Sequence, residues 1–150
     1  MNLGVLRELT ARVAGWRAPI TRPDADHIQL GTLGEKLACR FLRRNGYKIL
    51  HRNFRGRSGG EIDIVCRDDD TLVFVEVKTR TREDFGRPLD AVDRKKQKRI
   101  SRGALAWLRL LDNPDILFRF DVVEIVIAGE AKPRITLIRN AFALSEPYRY

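Results

Sequence analysis

The run Leu72-Val73-Phe74-Val75-Glu76-Val77-Lys78 decides how the chain folds. β-Branched and aromatic residues dominate it, the composition of a strand. Val73, Val75 and Val77 share one face, and Leu72 and Phe74 the other, because side chains alternate along a strand. A strand apolar on both faces belongs inside a sheet that is covered on both sides. Glu76 and Lys78 nevertheless fall on the second face, side by side. A buried carboxylate is costly unless it is neutralised, paired or bound to a cation.

Upstream, Gly60-Glu61-Ile62-Asp63-Ile64-Val65 reads as the neighbouring strand, with Arg67-Asp68-Asp69-Asp70 as the turn between them. Asp63 is then available as a second carboxylate. Two carboxylates and an ammonium on one sheet suit a hard divalent cation such as Mg²⁺. The structural alternative is a Glu76–Lys78 ion pair at a strand end. Glu61 lies two residues from Asp63 on the same face. It reads as a third acid or supporting group, or equally as a surface residue at a strand edge.

Gly60-Glu61-Ile62-Asp63 followed by Glu76-Val77-Lys78 resembles the bipartite signature of the PD-(D/E)XK nuclease superfamily, with Ile62 where the signature often has Pro. A longer series of matches includes Gly34-Glu35, Leu37-Ala38, Gly46-Tyr47, Ile49-Leu50, Arg52-Asn53, the two strands through Arg80, and Gly86 with Pro88. In that order these resemble the YraN family of small bacterial proteins, assigned to the same superfamily, over residues 29–140. The resemblance implies an α/β fold with a restriction-endonuclease-like core, a mixed central β-sheet flanked by helices. It implies Mg²⁺ or Mn²⁺ held by Asp63 and Glu76, with Glu35 completing the shell. Lys78 would be the catalytic amine, about 7 Å along the strand from Glu76. The implied reaction is endonucleolytic phosphodiester hydrolysis in nucleic acid, DNA favoured over RNA, with branched or repair and recombination intermediates as substrates. Some resembling nucleases work as homodimers, and no sequence feature decides that here. The alternative is a non-catalytic nucleic-acid-binding or partner-recruiting module that retains the nuclease fold.

Composition sets the frame. The 150 residues are 43% hydrophobic, enough for one domain with a real core. Lys and Arg number 29 against 20 Asp and Glu, a formal net charge of +9. That excess favours polyanionic partners: DNA, RNA or, less often, an acidic membrane surface. Cys39 and Cys66 are far apart, and neither they nor His27 and His51 show zinc-ligand spacing. Both cysteines read as small buried apolar residues in a reducing cytoplasm. No apolar run approaches a membrane span, and Arg7, Glu8 and Arg12 interrupt any signal-peptide core. The expectation is a cytoplasmic protein with no membrane partner.

Residues 1–27 read as an extension, with helically spaced Leu3, Leu6, Leu9, Val13 and Trp16 followed by a Pro-containing linker. Residues 28–140 form the domain and 141–150 a tail. A helix is predicted over 28–45, with Leu33, Leu37 and Phe41 as its apolar stripe, joined by Ala38 and Leu42. Gly46 ends it. Glu35 lies off the centre of that stripe, as a solvated residue unless the resemblance holds. A first strand follows over 47–54. Arg55 and Arg57 then precede Ser58-Gly59-Gly60, as phosphate contacts or as solvated loop arginines.

Arg80 marks the end of the central strand and is a further candidate nucleic-acid contact. Asp90 is the predicted N-cap of a helix over 91–111. The first half of that helix carries Arg94, Lys95, Lys96, Lys98, Arg99 and Arg102. Cations early in a helix oppose the macrodipole, and a bound polyanion reverses that penalty. Lys95, Lys98 and Arg99 are therefore candidate phosphate contacts, against the alternative of a solvated charge run. Strands over 117–128 and 134–139 complete the chain, with Asp121 and Glu124 as structural acids. Helix, three strands, helix and two strands make an α/β layered domain.

Overall fold

The computed structural model describes residues 25–81, 92–129, 131–148 and 150. The predicted helix over 3–16, the linker up to residue 24, the 82–88 loop and Asp90 lie outside the described residues. The elements are α1 (Ala25–Arg44), β1 (Lys48–Arg55), β2 (Glu61–Asp68), β3 (Thr71–Arg80), α2 (Arg94–Leu110), β4 (Phe118–Val126) and β5 (Arg134–Phe142). The strands form one five-stranded sheet in the order β1-β2-β3-β4-β5. All neighbours pair antiparallel except β3 and β4, which are parallel and joined through α2. The fold is thus a mixed α/β architecture.

β3 is the central strand, as its two apolar faces predict. Val73 and Val75 pack with Ala38, Cys39 and Leu42 of α1. Leu72 and Phe74 pack with Ile100, Ala104, Trp107 and Leu108 of α2. The burying stripe of α1 differs from the expected one. Gly34, Ala38, Cys39 and Leu42 are buried, so Ala38 and Leu42 of the expected stripe lie at its centre, Leu37 and Phe41 are partly buried, and Leu33 is 46% exposed. Close approach explains the choice: a Cβ on Gly34 would lie 1.8 Å from Thr79 Oγ1, so small residues set the contact line. At the helix end Gly46 takes φ +87, its N–H donates to Arg43 O, and Tyr47 N–H donates to Leu42 O. That is a Schellman closure, with Tyr47 and Leu42 sharing the core beneath it.

α2 begins at Arg94, and its N-cap is Asp93 rather than Asp90. The Asp93 carboxylate accepts from Lys96 N–H at 2.8 Å, the bond an N-cap exists to make. β5 runs on to Phe142, beyond the expected end at 139. The chain after it crosses α2: Ser145 N–H donates to Ser101 Oγ, and Arg102 donates to Tyr148 Oη.

The β1–β2 loop is clamped onto α2 by two glycines. Gly60 has φ +88, and a Cβ there would meet Gly103 N at 2.3 Å. Gly60→Ala therefore combines left-handed strain with a backbone clash and should cost about 3 kcal/mol. Gly129, at φ +56 with open space around it, isolates the strain alone. Gly129→Ala should cost about 1 kcal/mol. Urea unfolding of the two variants beside wild type checks the difference.

Candidate functional site

β2 and β3 part company near one end of the sheet. Their pairing stops at Ile64–Val75, while β3 stays paired with β4 as far as Arg80–Val126. The alternation of β2 slips at the same place: Ile62 faces the α2 core and Ile64 the α1 core. Asp63 lies at the slip, and Asn53 across from it on β1 takes φ +54. The freed Val77 N–H donates to Asp63 Oδ2 at 2.8 Å. A side chain thus replaces a missing ladder partner.

The fork opens into a polar pocket of about 260 Å³, lined by Glu35, Asp63, Glu76, Val77, Lys78 and Lys96 among others. Glu76 is 6% exposed and faces Asp63. Its Oε1 lies 3.1 Å from Lys96 Nζ; its Oε2 is buried with no nitrogen or hydroxyl donor, and the Glu76 and Asp63 carboxyls lie close enough to share a proton. Lys96 Nζ also donates to Glu61 Oε1 at 2.8 Å, and Arg99 holds Glu61 Oε2 at 2.9 Å.

These contacts set the charge states. Burial, and then the neighbouring Asp63 charge, push the Glu76 carboxyl up to about 8. Burial also raises Asp63, against the Val77 N–H, which favours its ionised form. Burial alone would lower the Lys96 ammonium, but Glu76, Glu61 and Asp63 together hold it above its ordinary value. Burial would raise Glu61, and Lys96 and Arg99 hold it below the usual carboxylate range.

The predicted site residues fall into three groups. Asp63 and Glu76 meet. Glu35 reaches the pocket wall with Oε2 held by Asn53 Nδ2 at 2.8 Å, and burial raises its pKa. Among the described residues no three His, Cys, Asp or Glu side chains gather as a metal-holding group. Lys78 also lines the pocket, but its side chain is exposed, so the Glu76–Lys78 pair of the structural alternative is replaced by Glu76–Lys96. Among the candidate phosphate contacts, Arg55, Lys95 and Lys98 are exposed, and Arg57 lines a separate apolar cleft with Phe54, Ala106 and Leu110. Arg99 is committed to Glu61. Arg80 is held by Glu124 at 3.0 Å with both side chains largely buried. Cys39 and Cys66 are buried free thiols, both pushed up by burial.

Sequence reasoning passed over Lys96 as a site residue. Its signal was available: Lys96 precedes Ile100 by four positions and Trp107 by eleven, which places it on the buried stripe of its helix. Asn53 carried no such signal, because its contact depends on the strand kink.

Residues 34–125 match the uncharacterised protein family UPF0102. A UPF0102 protein of Geobacter metallireducens is 53% identical over 116 residues, covering 77% of this chain and 93% of its own. The chain belongs to the UPF0102 family. A UPF0102 protein of Caldicellulosiruptor bescii is 48% identical over 76% of this chain and 97% of its own, and one of Rhodococcus opacus 44% identical over 79% and 99%. The UPF0102 span contains Glu35, Asp63, Glu76, Lys78 and Lys96, the whole pocket wall named above. No helix among the described residues is long and apolar enough to cross a membrane.

The raised Glu76 carboxyl has a stability consequence in metal-free buffer. The folded state keeps a proton that the unfolded chain releases near its ordinary value of 4.5. Stability from this group is complete below that pH and is lost as pH rises through about 8. Urea unfolding in EDTA should therefore show stability falling across this window, and Glu76→Gln should lose less of it.

Proposed function

We propose that this UPF0102 protein is a Mg²⁺- or Mn²⁺-dependent nuclease acting on nucleic acid, with DNA favoured. The observation that carries the reading is the meeting of Asp63 and Glu76 at the β2–β3 fork, with Glu76 Oε2 buried and unpartnered. A buried carboxyl oxygen without a nitrogen donor is what a bound cation, displacing the carboxyl proton, would satisfy. The donor set fits Mg²⁺, which commonly takes one or two carboxylates and fills its shell with water and substrate phosphate oxygens. Asp63 and Glu76 would hold the ion. Glu35, fixed by Asn53, stands at the wall where it can hold a water of that shell. The element order and the Glu76-Val77-Lys78 motif on the central strand support a restriction-endonuclease-like core.

When bound, the ion would polarise the phosphodiester and lower the pKa of an attacking water. The rest falls to the chain. Asp63 keeps Oδ2 on Val77 N–H, which fixes its carboxylate plane. Lys78, at the open side of the pocket, is placed to orient the nucleophile or to stabilise charge on the phosphorane-like transition state. Lys95 and Lys98 on α2 and Arg55 at the end of β1 are exposed and would offer phosphate contacts.

One observation favours the alternative, a nucleic-acid-binding module without catalysis: Lys96 already neutralises Glu76 without any metal. Branched, single-stranded and duplex DNA incubated with Mg²⁺ or Mn²⁺ separates the readings. A nuclease loses about 100-fold or more of its activity in Asp63→Ala and Lys78→Ala. Equal cleavage by wild type and variants would indicate a contaminant. No cleavage, with DNA affinity unchanged in Glu76→Ala, would establish the module.

A further inference from the structure

We infer that Lys96 is the pocket's resident counter-ion, which competes with a divalent cation for Glu76 and is kept in place by Glu61. The inference rests on the metal reading above and adds a residue that works against metal binding.

The geometry is asymmetric. Lys96 Nζ lies 2.8 Å from Glu61 Oε1 and 3.1 Å from Glu76 Oε1, so one ammonium bridges two carboxylates. Glu61 is itself anchored by Arg99 at 2.9 Å. Its backbone is pinned too, because a Cβ on Gly103 of α2 would come within 3.1 Å of both Glu61 N and Glu61 O. Glu61 is thus a fixed acceptor, while Glu76 offers a second oxygen with no partner. Lys96 neutralises one side of the acidic pair and leaves the other side unsatisfied.

A dication on the free side of Glu76 would share that carboxylate with an ammonium a few ångströms away. Two cations so placed repel strongly in a largely water-excluded site. The ammonium has an alternative in Glu61, and a long flexible stem to reach it. Entry of the ion therefore costs the Lys96–Glu76 contact, and Lys96 stays in the pocket, free on one side to meet a phosphate. Metal-free, the same residue keeps the acidic pair tolerable and the helix docked.

The test is Mn²⁺ binding by calorimetry to the full-length protein, with no nucleic acid present. Lys96→Met should bind Mn²⁺ about tenfold more tightly than wild type. Lys96→Arg, which keeps the charge, should bind like wild type. Lys132→Met removes an exposed lysine that does not line the pocket and should stay within about twofold. Mere structural damage cannot tighten binding, so the sign of the Lys96→Met effect is decisive. Equal or weaker binding by folded Lys96→Met overturns the inference and leaves the metal reading intact. No Mn²⁺ binding by wild type or Lys96→Met overturns the metal reading, and this inference with it. Thermal melting verifies folding, and Lys96→Gln replaces the Met variant if that one does not fold.

Discussion

Beyond the Ile64–Val75 pair, β3 keeps its partner β4 but no longer has β2 beside it, and Val77 N–H is left facing a gap. The Asp63 carboxylate closes that gap at 2.8 Å. An unmet backbone donor in such a place costs about 1–3 kcal/mol, so the fork exists only because a short acidic side chain bridges it. The bridge brings a negative charge into the sheet, and the next inward-facing residue on β3 toward α2 is Glu76. Everything at this end of the molecule answers to that placement. Lys96 comes down from α2, Glu61 anchored by Arg99 holds Lys96, and Asn53 turns Glu35 toward the same space.

A second polar cluster in the same sheet shows that the fold can satisfy buried acids fully. Asp121 is completely buried, yet Arg119 bonds both its oxygens and Asn140 N–H adds a third contact. Arg119 also reaches Asp68 and Tyr47 Oη, and the Tyr47 ring lies under both Arg119 and Arg139. Such a closed network rigidifies and leaves nothing to bind. The Glu76 cluster has comparable burial, but its cation is a single ammonium shared with Glu61, and one oxygen is left over. The difference between the two clusters is incompleteness, which is the property that a binding site needs and a structural one avoids.

Reading the strands from sequence succeeded because their signal is local. Two apolar faces placed 72–77 at the centre, and alternation put Glu76 on the α2 side. Asp63 was legible as a neighbour of Glu76 because a short turn at Asp69 and Asp70 fixes the register of β2 on β3. Local reasoning failed where tertiary contact decided. The α1 stripe centres on Ala38 and Leu42 and leaves Leu33 exposed, with Gly34 buried where the helix approaches Thr79 too closely for any Cβ. The cap of α2 shifted from Asp90 to Asp93, since several acids precede that helix and only packing selects among them. Lys96 was hidden inside a basic run: charge described the run, and helical phase would have singled it out.

The pocket concentrates acids at one place in a basic chain. Glu35, Glu61, Asp63 and Glu76 face Lys78, Lys96 and Arg99, four potential anions against three cations, in a chain whose formal net charge is +9. A polyanion attracted by that net charge would meet acid oxygens over the last few ångströms toward Asp63 and Glu76, an approach that disfavours a phosphate. A divalent ion is the largest local charge such a site can acquire, and it inverts that final step from repulsive to attractive. For a nuclease, this arrangement makes the ion a condition for substrate entry as well as a participant in the chemistry.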